Sequence, residues 1–389
     1  MPDGFALAWL ILPLGVALGW TLARHWPKPR EQGGKGNPQY LTGLTHLVNQ
    51  DADQAIAAFV KAIEVDDETV ELHLTLGGLF RKRGEVDRAL RIHEALLARP
   101  NLKPEYQNQA RFELAQDFQQ AGVMDRAEGL YKELVGQGMF LQASLEQLMA
   151  LYEQSRDWRQ AIETARQLQA VKSISLRPLI AQYYCERSEE ARLKQELPEA
   201  LRLTGRALSE HADCVRASLL QGALHEASGD PAAAVKSYRR VPEQDARFVD
   251  EVLAPLQRCF MALNDLPGYR KFLEDAEEFW PHPAVVLARA RLLQSEKMDP
   301  GAYLVEHLQK QPQWQGLDLL LEHTAAQSGS SAPLLNGLRA AMRRYMEKRP
   351  GYLCQHCGFT PSLLFWQCPR CKQWTTIVPL DELASSPLP

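Results

Sequence analysis

The sequence predicts an all-α chain: a superhelix of paired helices, preceded by an N-terminal transmembrane helix and followed by a small four-cysteine ribbon. Three observations predict it. Small and aromatic residues recur with a period near 34, an uncharged apolar stretch lies near the start, and two CxxC pairs lie near the end.

Phe5 to Ala23 is nineteen residues without a charge, rich in Leu, Ala, Ile and Val. At 1.5 Å per residue it spans ~29 Å, close to the hydrocarbon thickness of a bilayer. Trp9, Trp20 and Trp26 suit the two interfaces. Only Asp3 and the amino terminus precede the stretch, whereas Arg24, Lys28, Arg30 and Lys35 follow it. The excess of basic residues on that side places the N-terminus outside and the remainder in the cytoplasm. A cleavable signal would carry its positive charges before the apolar run, so an uncleaved anchor over residues 1–26 is expected. Gly15 and Gly19 form a GxxxG spacing that flattens one helix face for a membrane partner, although such spacings also arise by chance. Residues 27–38, rich in Pro and Gly, read as a linker.

From 39 to 348 the chain repeats. Ala55 to Ala89, Ala127 to Ala161 and Ala200 to Ala234 are each 34 residues apart, and the intervals of 38 and 39 between them read as loop insertions. Leu76, Gly77, Phe80, Gly84 and Ala89 mark one unit; Leu114, Ala115, Phe118, Gly122, Ala127 and Tyr131 mark the next. Gly43, Ala55, Phe59 and Ala62 fit an earlier unit, and Gly222, Gly229, Ala234 and Tyr238 a later one. This is the tetratricopeptide spacing, in which small residues let two helices approach and aromatics fill the groove beside them. Each hairpin exposes an apolar face that only its neighbour covers, so about nine hairpins stack in line, the last three divergent. Pro255, Pro267, Pro281, Pro283 and Pro300 are expected at helix starts or loops. Arg81-Lys82-Arg83 reads as compensation of a helix C-terminus rather than a site for an acidic partner. His73 and His93 read as hairpin packing or concave-surface residues rather than catalytic bases, and Glu189-Glu190 and Glu277-Glu278 as solvated helix positions.

Cys354, Cys357, Cys368 and Cys371 form two CxxC knuckles separated by ten residues. Two facing knuckles supply four thiolates to a tetrahedron, the arrangement Zn²⁺ prefers, and four sulfurs leave no position for a catalytic water. Gly358 permits a positive φ after the first knuckle. Iron in a rubredoxin-like Cys₄ site is the alternative. His356 reads as a solvent-facing loop residue. A module over 350–380 buries too little by itself, so Trp366, Trp374, Phe359 and Leu364 are expected to pack against a neighbour, on the last helices of the array. Residues 381–389 form a tail.

Charged residues are 24% and net charge is −4, which argues against a general nucleic-acid binder. Cys185, Cys214 and Cys259 read as separate, buried, inert thiols. The chain contains no HExxH, GxSxG, GxxxxGK[ST] or GxGxxG. A non-enzymatic protein with a docking groove is therefore expected.

Four stretches together resemble the lipopolysaccharide assembly protein B (LapB/YciM) family: Leu76 to His93, Ala121 to Glu128, Ile180 to Glu186, and Cys354 to Ile377. The likeness runs over nearly the whole chain, including Gly19-Trp20. It implies an inner-membrane regulator of lipopolysaccharide synthesis in a Gram-negative cell. By that resemblance the partners are the lipid A deacetylase LpxC, the membrane protease FtsH that degrades it, and the regulator YejM/PbgA; Cys354, Cys357, Cys368 and Cys371 become the metal ligands. A general membrane-tethered scaffold for envelope complexes, or a Cys₄-iron electron carrier, remains as an alternative reading.

Overall fold

The computed structural model describes residues 70–346 and 350–380, with isolated helical positions between 41 and 58. The expected anchor, with Gly15 and Gly19, the linker and the tail lie outside the described residues. Among the described residues, no helix is long and apolar enough to cross a membrane.

The chain divides into two compact units, residues 1–134 and 135–389. The first contains α1 (Val70–Lys82), α2 (Val86–Leu97), α3 (Pro104–Gln120) and most of α4 (Met124–Gly136). The second contains α5 (Leu141–Ser155), α6 (Trp158–Lys172), α7 (Arg177–Leu193), α8 (Leu197–Glu210), α9 (Val215–Ala227) and α10 (Pro231–Gln244). After a 3₁₀ turn at Ala246–Phe248 it continues through α11 (Val249–Ala262), α12 (Leu266–Phe279), α13 (Pro283–Ser295), α14 (Gly301–Lys310), α15 (Trp314–Gln327) and α16 (Ala332–Met346). Strands β1 (Tyr352–Cys354) and β2 (Ile377–Pro379) complete it. The helices pair in chain order, as a tetratricopeptide array requires.

One backbone device makes the hairpins. At the end of α1 the Gly84 N–H donates to the Arg81 carbonyl and the Glu85 N–H to the Phe80 carbonyl, both at 2.9 Å. This Schellman pair satisfies carbonyls that the ending helix leaves open, and it needs a left-handed residue. That residue recurs as Gly122, Arg156, Gln195, Gly229, Asn264 and Lys297, all with φ between 56 and 81°. The next residue often caps the second helix: Asp157, Asp230 and Asp265 accept from the N–H of Gln160, Ala233 and Gly268.

Close helix approach follows from the small residues. A Cβ on Gly77 would lie 2.4 Å from the His93 ring, and one on Gly222 would lie 2.4 Å from the Tyr238 ring. His93 is therefore hairpin packing, as expected. Its Nδ1 also faces Asp117 Oδ2 at 2.5 Å. Arg81 departs from expectation: it pairs with Glu113 at 2.7 Å and Asp117 at 2.8 Å on α3, locking one hairpin to the next. Lys82 and Arg83 stay exposed.

Two other expectations change. Pro255 lies inside α11 rather than at a helix start. Val252, Leu253, Leu256, Cys259 and Phe260 are buried on both sides of it, so packing imposes the helix despite the lost hydrogen bond. Pro267, Pro283 and Pro300 do sit at helix starts. Glu277 is not a solvated acid; it accepts from Tyr303 at 3.0 Å, pairs with His307 at 2.7 Å and also pairs with Arg289, tying α12 to α13 and α14.

Candidate metal centre

The four cysteines predicted as ligands converge. Their sulfurs all lie within 4.8 Å of one another, with Cys354 to Cys371 at 3.8 Å and Cys357 to Cys368 at 3.7 Å. A tetrahedron with metal–sulfur bonds near 2.3 Å has sulfur–sulfur edges of ~3.8 Å, so the residues fit a Cys₄ ion. His356 is exposed and outside the cluster, as expected.

The two knuckles are built alike. In the first, the Cys354 N–H donates to the Phe359 carbonyl and the Gly358 N–H to the Cys354 carbonyl. In the second, Cys368 N–H donates to Gln373 and Lys372 N–H to Cys368. Gly358 and Lys372 hold the matching positive φ, at 72 and 60°. These turns aim backbone N–H groups at the sulfurs: those of His356 and Cys357 at Cys354, that of Phe359 at Cys357, and that of Gln373 at Cys371. The Thr376 hydroxyl lies 3.3 Å from Cys354 Sγ. Such donors spread the negative charge that four thiolates bring to one ion. Antiparallel pairing of β1 and β2, with Cys354 opposite Ile377, closes the ribbon.

Among the described residues, the ribbon's ring contacts and hydrogen bonds to the array do not fall on the last helices, where docking was expected. The ribbon rests on α5 to α7 and on the α10–α11 junction. Trp374 meets Trp158 and Tyr183 edge-on, with centroids 6.1 and 5.9 Å apart, and its Nε1 donates to Glu153 Oε1 at 3.1 Å. Trp366 stacks on Phe248 at 5.7 Å, and the Tyr352 hydroxyl donates to Glu251 at 2.6 Å. Leu364 and Val378 join the same core. Trp366, Trp374 and Leu364 thus pack against the array, while Phe359 packs inside the ribbon. Glu153 is the residue sequence reasoning missed. It also accepts from the Tyr183 hydroxyl, and burial pushes its carboxyl above the usual carboxylate value against the pull of these donors. Nothing near Glu153 in the sequence announces that role.

A protein-family comparison matches residues 352–379 to a rubredoxin metal-binding domain and residues 40–101 and 189–247 to the tetratricopeptide repeat. The lipopolysaccharide assembly protein B of Escherichia coli K12 is 32% identical, over 97% of this chain and 98% of its own length. The chain belongs to the lipopolysaccharide assembly protein B family. The Haemophilus influenzae Rd protein of the same name is 34% identical, again over 97% of this chain and 98% of its own. Membership implies a role in lipopolysaccharide assembly, and the family's two hallmarks, repeat array and four-cysteine ribbon, are both present.

Proposed function

We propose that this chain is a non-enzymatic inner-membrane adaptor that regulates lipopolysaccharide biosynthesis by presenting the deacetylase LpxC to the protease FtsH, with YejM/PbgA relieving the effect. The observation that carries the reading is the fate of the four thiolates. All four sulfurs lie within 4.8 Å of one another, close enough to share one ion, and the ribbon they form is fastened to the array through Trp374 and Glu153. A closed Cys₄ shell offers stiffness rather than a reactive position. What the described residues then present is protein surface, which in a repeat array serves recognition.

Zinc is the ion we assign; a colourless, zinc-stoichiometric preparation would exclude iron, whereas a red one would overturn the assignment. Residues 5–23 supply the tether, with the bulk of the chain on the cytoplasmic side. Gly15 and Gly19 are the proposed contact for a membrane partner. Holding a client beside a membrane protease raises its local concentration without new chemistry.

The test is the lifetime of LpxC in a Gram-negative cell whose own family member has been deleted. Expression of the full chain should shorten it, and a form lacking residues 1–24 should fail to do so. An unchanged lifetime with the full chain, together with co-purification of envelope assembly proteins in place of LpxC and FtsH, would favour the scaffold reading.

A further inference from the structure

Away from the metal centre, a second pair of cysteines comes together. Cys185 on α7 and Cys214, the N-cap of α9, are 29 positions apart in sequence, yet their sulfurs lie 4.0 Å apart. Both are buried. Cys259, by contrast, stands apart as the sequence suggested, its thiol pushed up to about 11 by burial.

The surroundings of the pair favour a thiolate. The neighbouring Cys185 sulfur favours a thiolate at Cys214, outweighing the opposing effect of burial, and the His211 side chain and the Ala217 N–H at the start of α9 add donors. Gln182 Nε2 lies 3.5 Å from the same sulfur. Together they hold the Cys214 thiol well below its ordinary value, while burial and the neighbouring sulfur hold Cys185 well above. A second observation stands apart from this one. Arg216 is 6% exposed, and its Nε and Nη1 have no hydrogen-bond partner, although Nη2 pairs with Glu186 at 2.8 Å. Gln182 Oε1 is likewise buried without a partner. Structural cores rarely leave such groups unmet, and the Arg216 charge acts on Cys185, favouring negative charge within the pair.

We propose that Cys185 and Cys214 are a redox-active dithiol, a modification site for small hydroperoxides, with Cys214 as the attacking sulfur and Cys185 as the resolving one. In the first step Cys214 S⁻ attacks one oxygen of hydrogen peroxide. The S–O bond forms, the O–O bond breaks, and the hydroxide released takes a solvent proton to become water. Sulfur has lost two electrons and the peroxide has gained them. In the second step Cys185 sulfur attacks the Cys214 sulfenic acid. The S–S bond forms, the S–O bond breaks, and the departing hydroxyl leaves with the Cys185 proton as water. Closing a gap of 4.0 Å to a bond of about 2.05 Å draws α7 toward the start of α9. The helix that moves is the one whose Tyr183 supports Trp374 of the ribbon.

The test uses the full chain, metal-loaded. It is exposed briefly to hydrogen peroxide, quenched with N-ethylmaleimide, digested and read by mass spectrometry. The expected product is a linked peptide pair containing Cys185 and Cys214, lighter by two hydrogens and reopened by dithiothreitol. Cys259 should be recovered alkylated, its oxidation at least about tenfold slower. Cys185→Ser should leave Cys214 as a sulfenic acid that dimedone traps; should that variant not fold, the linked peptide in the parent chain decides alone. Recovery of Cys185 and Cys214 as free thiols under peroxide that oxidises Cys259 would overturn the proposal. So would direct passage of Cys214 to the sulfinic acid with no linked pair.

Discussion

Trp374 Nε1 donates to Glu153 Oε1 at 3.1 Å, joining residues 221 positions apart. The bond fixes the ribbon on a seat whose walls are Trp158 and Tyr183. Trp374→Ala removes two edge contacts and a hydrogen bond to a carboxylate, weakening docking by roughly 2–4 kcal/mol. Trypsin should then cut within 350–380 faster while metal content stays unchanged. A ribbon as resistant as the parent's would mean that Trp374 contributes nothing to docking.

Glu153 adds a pH dependence of known sign. Burial raises its carboxyl pKa in the folded chain above the value it has unfolded. Its contribution to stability is therefore complete below the ordinary carboxylate range and declines as pH rises through the raised value. Glu153→Gln abolishes that titration. Its stability relative to the parent should rise between pH 4.5 and pH 7, measured by urea unfolding at each pH; a flat difference would show that Glu153 does not titrate abnormally.

Removing the metal should uncouple the ribbon and spare the helices. Structural Cys₄ ions contribute folding free energy outright, on the order of 10 kcal/mol in small zinc modules. Cys354→Ser, or a strong chelator, should expose Trp366 and Trp374 to an aqueous quencher, with helical circular dichroism changed little. Unaltered quenching would place the ribbon's stability elsewhere.

Within the basic run Arg81-Lys82-Arg83, only the first residue should matter. Asp117 is fully buried and held by Arg81 and His93, so Arg81→Ala leaves its carboxylate with His93 alone and should cost roughly 1.5–3 kcal/mol. Arg83→Ala, on an exposed side chain, should stay within about 0.5 kcal/mol. Equal melting temperatures for the two variants would contradict the assignment.

Gly222→Ala should destabilise by roughly 1–3 kcal/mol, because the new methyl falls on the Tyr238 ring. Gly205→Ala, with open space at its Cβ, serves as the control and should be neutral or stabilising. Thermal melts of the pair separate close packing from helix propensity.

How much was legible follows from which constraints are local. The metal ligands could be read directly, since CxxC spacing is itself the geometry of a knuckle. The repeat could be read where the left-handed turn residue is Gly84, Gly122 or Gly229. It was carried by Ala161 and Ala200 alone where the turn residue is Arg156 or Gln195. It faded beyond Phe248, where Asn264 and Lys297 hold the same backbone conformation and tertiary packing pays the modest strain of a side chain at positive φ. Pro255 was misplaced for a related reason: burial on both sides overrode a local preference. The ribbon's seat, Arg81's partners and the Cys185–Cys214 pair were not legible, because each joins residues on different helices at separations that no motif fixes.

The return of Trp374 to Trp158 and Tyr183 has a consequence for synthesis on the ribosome. At about 5–20 residues per second, the aromatic pair emerges some 10–40 s before the tryptophan that covers it. During that interval α6 and α7 present bare rings, and only arrival of the final segment, metal in place, shields them. A message truncated before codon 350 therefore yields an array with this sticky face left open, a ready substrate for chaperones and quality-control proteases.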